Sequence, residues 1–84
     1  MKALALLLLF SAPVFAAAVE GYDYESGSYV ELDTQYVKPG MNVDMYDYDT
    51  GDYHDVDVEV VQRYGRDVEV YDNTTGEYRT IELQ

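Results

Sequence analysis

Cysteine and tryptophan are absent from this 84-residue sequence, histidine occurs once, proline twice, and only 5 Lys and Arg stand against 17 Asp and Glu. Without cysteine there is no disulfide framework, no thiolate zinc site and no lipidated cysteine anchor. The shortage of cations, with a formal net charge of -12, argues against nucleic acid or an anionic membrane surface as partner, because phosphate binding needs Lys/Arg clusters. One histidine and no nucleophile elbow leave no relay for hydroxyl-based catalysis, and so short a chain has little room for a desolvated cleft. The chain is therefore expected not to be an enzyme. What is abundant is tyrosine, with 10 copies, and carboxylate.

The first residues have the order of an export signal. Lys2 supplies a positive start, Ala3 to Phe10 is an unbroken apolar run, and small residues end at Ala16, Ala17 and Ala18. The small-x-small rule fits cleavage after Ala16 or after Ala18. A membrane span needs about 20 apolar residues, and Ser11 and Pro13 interrupt a shorter stretch. Residues 1–18 are thus expected to be a signal peptide, and 19–84 a single domain with no membrane span. The short apolar run and alanine-rich end are bacterial in style, which places the domain in the periplasm or outside the cell.

Residues 19–84 are built from one motif used three times. Val19 to Leu32, Val43 to Val56 and Val68 to Ile81 align without a gap as V-[ED]-x-Y-D-x-x-[ST]-G-x-Y-x-x-[VLI]. A repeat of this period implies one supersecondary unit in three copies. Each copy alternates with period 2 and is rich in β-branched and aromatic residues, so each reads as a β-hairpin. Gly27, Gly51 and Gly76 close the three turns, where a positive φ demands glycine. Lys38-Pro39-Gly40 fits a type II turn between hairpins, with Pro and Gly at its two centres. Arg63-Tyr64-Gly65-Arg66 offers a second connection. The expected fold is all-β: an antiparallel meander of five to six strands curled into a small half-open barrel, with SH3-like the nearest architecture.

Parity divides the residues between two faces. Val30, Leu32, Val43, Met45, Val56, Val58, Val60, Val68, Val70, Ile81 and Leu83 share the apolar one. His54 falls on that face beside a turn, where it reads as a strand-end filler. The other face gathers Tyr29, Tyr46, Tyr53, Tyr71 and Tyr78 with Asp55 and Asp57, and is the candidate binding face. Tyr22/Tyr29, Tyr46/Tyr53 and Tyr71/Tyr78 flank their turns at one offset. Across a hairpin such pairs clamp the strands, contributing about 0.2–1 kcal/mol each. Exposed tyrosine also offers rigid contact area suited to cations and sugars. The turn end is acidic, and Lys38, Arg63 and Arg66 lie at the opposite end; only Arg79 breaks the pattern. Asp47, Asp49 and Asp52 are candidate calcium ligands there, although the run fails the EF-hand spacing because Gly51 and Val58 stand where Asp/Asn and Glu are needed.

The strings GYDYESGSYVEL and VEVYDNTTGEYRTIEL, through Tyr22, Asp23, Gly27, Tyr29, Tyr71, Asp72, Gly76, Tyr78 and Arg79, resemble a family of small secreted bacterial proteins of unknown function. The likeness covers nearly all of residues 20–84 and implies an exported domain without importing an activity. The second copy departs by carrying His54 where the third carries Arg79. The leading functional expectation is a non-enzymatic binding module of the cell envelope. It needs no cofactor, and its partner is a protein or a glycan. A calcium-binding module and a self-associating structural subunit are the alternatives. Export is checked by sequencing the N-terminus of protein recovered outside the cytoplasm: the first residue is expected to be Ala17 or Val19, and a full-length chain retained in the cytoplasm refutes the assignment.

Overall fold

A computed structural model describes residues 17–62 and 66–84. The proposed signal up to Ala16, and Arg63, Tyr64 and Gly65 of the second proposed connection, lie outside the described residues. Six strands follow one another: β1 Val19–Asp23, β2 Ser28–Leu32, β3 Asn42–Asp47, β4 Asp52–Val61, β5 Asp67–Asp72 and β6 Glu77–Leu83. Every neighbouring pair is antiparallel, and β1 also pairs with β6, so the meander closes on itself as a six-stranded barrel. The closure goes further than the half-open form expected from sequence. Closure removes both free edges, and with them the unpaired backbone groups an open sheet exposes. Among the described residues no helix is long and apolar enough to cross a membrane.

The turns behave as their residue types require. Gly27, Gly51 and Gly76 have φ of 72°, 77° and 80°, a region that side-chain-bearing residues rarely adopt. Each donates its N–H to the carbonyl of the motif aspartate four residues earlier, Asp23, Asp47 or Asp72, at 2.7–2.8 Å. Gly40 also has positive φ, and Met41 N–H reaches Lys38 C=O at 3.3 Å, completing the expected turn.

The barrel axis is filled by Val30, Leu32, Val43, Met45, Val56, Val58, Val68, Val70 and Ile81, all buried. Val60 was expected among them and is instead 44% exposed. The β4–β5 register shifts between Val58, opposite Val70, and Val60, opposite Glu69. Glu59 is the extra residue of a bulge, and an extra residue reverses the parity beyond it. Val61 therefore turns to the core in place of Val60.

Gly21 is buried on the inner side of β1. A Cβ there would lie 2.4 Å from Ile81 Cγ2 and 3.3 Å from the Glu82 carbonyl oxygen. The missing side chain lets Ile81 occupy the axis, a strand use of glycine that allows close approach. Gly21→Ala is expected to cost about 1–3 kcal/mol through overpacking, measured by urea unfolding; a variant as stable as the parent contradicts this packing.

Candidate functional site

The motif aspartates occupy inward positions. Asp23, Asp47 and Asp72 end β1, β3 and β5 and are at most 1% exposed. Each carboxylate is used on two sides. Its Oδ1 accepts the amide two residues onward, from Glu25 at 2.9 Å, Asp49 at 2.8 Å and Thr74 at 2.9 Å. That is the side-chain mimicry of a turn typical of Asp, and it fixes the hairpin. Oδ2 is left facing the interior, where all three converge.

The convergence is met by Arg79 and His54. Arg79 Nη1 donates to Asp23 Oδ2, its Nε donates to Asp72 Oδ2 at 2.9 Å, and Nη1 lies 3.6 Å from Asp47 Oδ2. His54 Nδ1–H donates to Asp72 Oδ2 at 2.6 Å, while Nε2 lies 3.8 Å from Asp47 Oδ2 and 3.4 Å from Thr50 Oγ1. Asp47 Oδ2 has no hydrogen bond, so charge alone compensates it. Burial pushes the Asp72 carboxyl up, but His54 and the amides of Thr74 and Thr75 pull it down further, and its pKa lies below the ordinary value. Burial acts to lower Arg79, and Asp23 and Asp72 outweigh it, so the guanidinium is held more firmly protonated than usual. Val30, His54 and Arg79 occupy the same place in the three copies, three residues past the turn glycine. The threefold pattern of acids is thus answered by one neutral, one titratable and one fixed cationic side chain.

This arrangement corrects the picture of a uniformly acidic turn surface. Asp23, Asp47 and Asp72 belong to the interior. Arg79, the cation out of place at the turn end, is their counterion. The candidate calcium ligands are not brought together: Asp47 faces the barrel interior, whereas Asp49 and Asp52 are exposed. Among the described residues no three His, Asp or Glu side chains are grouped so as to hold a metal ion.

The outer face divides into clamps and contacts. Tyr22, Tyr46 and Tyr71 stand directly opposite Tyr29, Tyr53 and Tyr78. Their rings meet edge to face, with centroids 5.3, 5.0 and 4.9 Å apart, the geometry the ring quadrupole favours. The first tyrosine of each pair lies over its own turn, its hydroxyl 3.6–3.9 Å from where a glycine Cβ would stand. Tyr46, expected on the binding face, is accordingly only 9% exposed, and Tyr71 is half-buried. Tyr29, Tyr53 and Tyr78 are exposed at 49%, 55% and 59%.

Sequence reasoning missed a third set of contacts, made by the residue after each motif aspartate. Tyr48 donates its hydroxyl to Glu31 Oε2 on β2 at 2.8 Å. Partial burial and that bond push the Tyr48 pKa up to about 12. Tyr24, at the same place in the first copy, is raised by desolvation and by the charges of Asp67 and Glu82, and bonds Glu82. Asn73, in the third copy, donates to Asp55 at 3.0 Å and Asp57 at 3.1 Å, and Asn42 donates to the same two carboxylates at 2.8 Å. These amides hold Asp57 below its ordinary pKa. The shared place of Tyr24, Tyr48 and Asn73 in the repeat was the available signal. Each latches its hairpin onto the adjacent strand of the neighbouring hairpin, β6, β2 or β4.

A closed antiparallel barrel of repeated hairpins, sealed at its turn end by an ionic cluster, is the class of protein these features define. A family model described as "Family of unknown function (DUF5334)" matches residues 19–84, and the chain belongs to that family. Comparisons with curated proteins and with solved structures return no match.

Removing the counterion tests the cluster. Arg79→Met leaves buried carboxylates unpaired, and breaking such a cluster costs about 3–5 kcal/mol. The pH dependence is expected to change sign. In the parent, the lowered Asp72 pKa contributes stability that is present above the unfolded value of about 3.9 and lost as pH falls through the folded value. In the variant, acidification neutralises mutual repulsion and raises stability between about pH 7 and 5. Urea unfolding across pH checks both; parallel profiles for the two proteins contradict the assignment of Arg79 as counterion.

Proposed function

We propose that this protein is an exported, non-enzymatic binding module of the cell envelope that meets its partner through the outer face of the barrel. The observation that carries the reading is the band of exposed tyrosines, Tyr24, Tyr29, Tyr48, Tyr53 and Tyr78, set among carboxylates around one end of the molecule. Exposed aromatic residues at this density are characteristic of contact surfaces, where they supply area at low conformational-entropy cost. The residues best suited to acid–base chemistry, His54 and the motif aspartates, are tied to one another inside the barrel. That supports a role in binding over one in catalysis. The apolar run before residue 19 supports export.

The two tyrosine sets provide the test. Replacing Tyr29, Tyr53 and Tyr78 with Thr keeps β propensity and is expected to abolish partner capture by in-cell crosslinking, with a stability loss of at most about 1 kcal/mol per pair. Replacing Tyr46 and Tyr71 with Thr is expected to lower the unfolding midpoint and leave crosslinking intact. The reading falls if the exposed-tyrosine variant captures the same products as the parent.

A further inference from the structure

We infer that the outer face of β1 to β4 docks a cationic segment of another protein, extended and carrying Lys or Arg at alternate positions. This rests on the binding-module reading and names the chemistry of its partner.

The register lays the charges out in ranks across the strands. Glu20 stands directly opposite Glu31, Glu31 opposite Tyr46, and Tyr46 opposite Tyr53. On the Asn42 side of that rank, Asp44 stands directly opposite Asp55. Like charges placed directly opposite destabilise a sheet. Among the described residues no cation pairs with them, because every ion pair there is made by Arg79 or His54 inside the barrel. Asp55 is steadied by Asn42 and Asn73, neutral donors that leave its charge in place. Lys38 and Arg66 stand in the connections at the other end of the barrel. Charged strands often protect sheet edges from pairing, but a closed barrel has no edge to protect. The repulsion serves no need of the isolated fold, and a cationic partner removes it.

The aromatic residues beside these acids fit the same partner. Tyr48 and Tyr53 flank Tyr46 edge to face, with centroids 4.9 and 5.0 Å from it and interplanar angles of 82° and 66°. Both are well exposed, and the Tyr48 hydroxyl keeps the Glu31 carboxylate beside the ring. A Lys or Arg head lying over such a ring within about 6 Å is attracted by its quadrupole, and the adjoining carboxylate adds to the attraction. Side chains on one face of a strand recur every second residue, about 7 Å apart, the pitch at which an extended segment presents its own alternate side chains. With no free edge, strand addition is closed to the partner, so recognition runs through side chains.

The test is an amide NMR titration of the purified protein with a peptide alternating Lys and Thr, at low salt and at about 0.3 M salt, where screening acts within a few ångströms. A neutral N-acetylglucosamine oligosaccharide is the rival probe. Shifts from the peptide are expected to concentrate at Glu20, Glu31, Asp44, Tyr48, Tyr53 and Asp55, with affinity falling about tenfold or more in salt. Glu20→Gln with Glu31→Gln is expected to weaken binding about fivefold while raising the melting temperature, because it relieves the repulsion. Glu69→Gln with Glu77→Gln makes the same charge change on β5 and β6 and is expected to leave affinity within about twofold. Equal losses in the two variants mean diffuse charge attraction and overturn the inference. Binding of the oligosaccharide in place of the peptide overturns it and leaves the binding-module reading standing. Failure of both probes overturns it too, and that broader reading is then decided by the tyrosine variants alone.

Discussion

Three buried carboxylates held by one guanidinium organise this barrel. Each motif aspartate closes a turn with one oxygen and reaches the interior with the other. Local hairpin structure and long-range closure are thereby carried by the same side chains. Arg79 on β6 joins Asp23 on β1, and thus links the last strand to the first where the meander closes. Buried ion clusters stabilise less than their attraction suggests, since desolvation is costly. Removing one member leaves the others buried and unpaired, so the five side chains stand or fall as a unit.

The three copies are not equivalent in the cluster: at the place that faces the acids they carry Val30, His54 and Arg79. The seams differ as well. Val56 faces Asp72 and Ile81 faces Asp23, but at the β2–β3 seam the motif aspartate faces Val30, two residues out of step. A two-residue slip preserves which side chains point inward. The core therefore stays apolar at all three seams while their hydrogen-bond registers differ.

Much of the fold was legible because period-2 alternation and glycine punctuation are strong signals. The three hairpins, the turn glycines and the meander follow from them, and so do the inward valines. The Glu59 bulge was not legible: nothing in the residue string marks where one strand takes an extra residue, so Val60 was placed on the wrong side. Gly21 read as part of a tyrosine motif, while its steric role depends on Ile81 some 60 positions away. The ionic cluster was half legible. Parity already placed His54 with Val56 and Asp47 with Met45, but the surplus of acids around the turns made a solvated surface the simpler reading. Five ionisable groups sharing the apolar parity, with both signs among them, were the clue.

With the edges closed and three acids withdrawn into the interior, the remaining surface charge calls for its own explanation. Solubility needs net charge but is indifferent to placement. Placement is what the outer face shows: Glu20 against Glu31 and Asp44 against Asp55 on the four strands that also carry Tyr48 and Tyr53. The first tyrosine of each pair is accounted for by the turn beneath it, and Tyr24 and Tyr48 in part by their latches to the neighbouring hairpin. Tyr29, Tyr53 and Tyr78 add a cross-strand ring contact and then extend well into solvent, farther than the clamp requires. A fold needing only stability would gain more from opposite charges across the strands than from the like pairs Glu20/Glu31 and Asp44/Asp55. Aromatic exposure and uncompensated charge coincide on one surface, and a partner supplying both cations and contact area accounts for the two together.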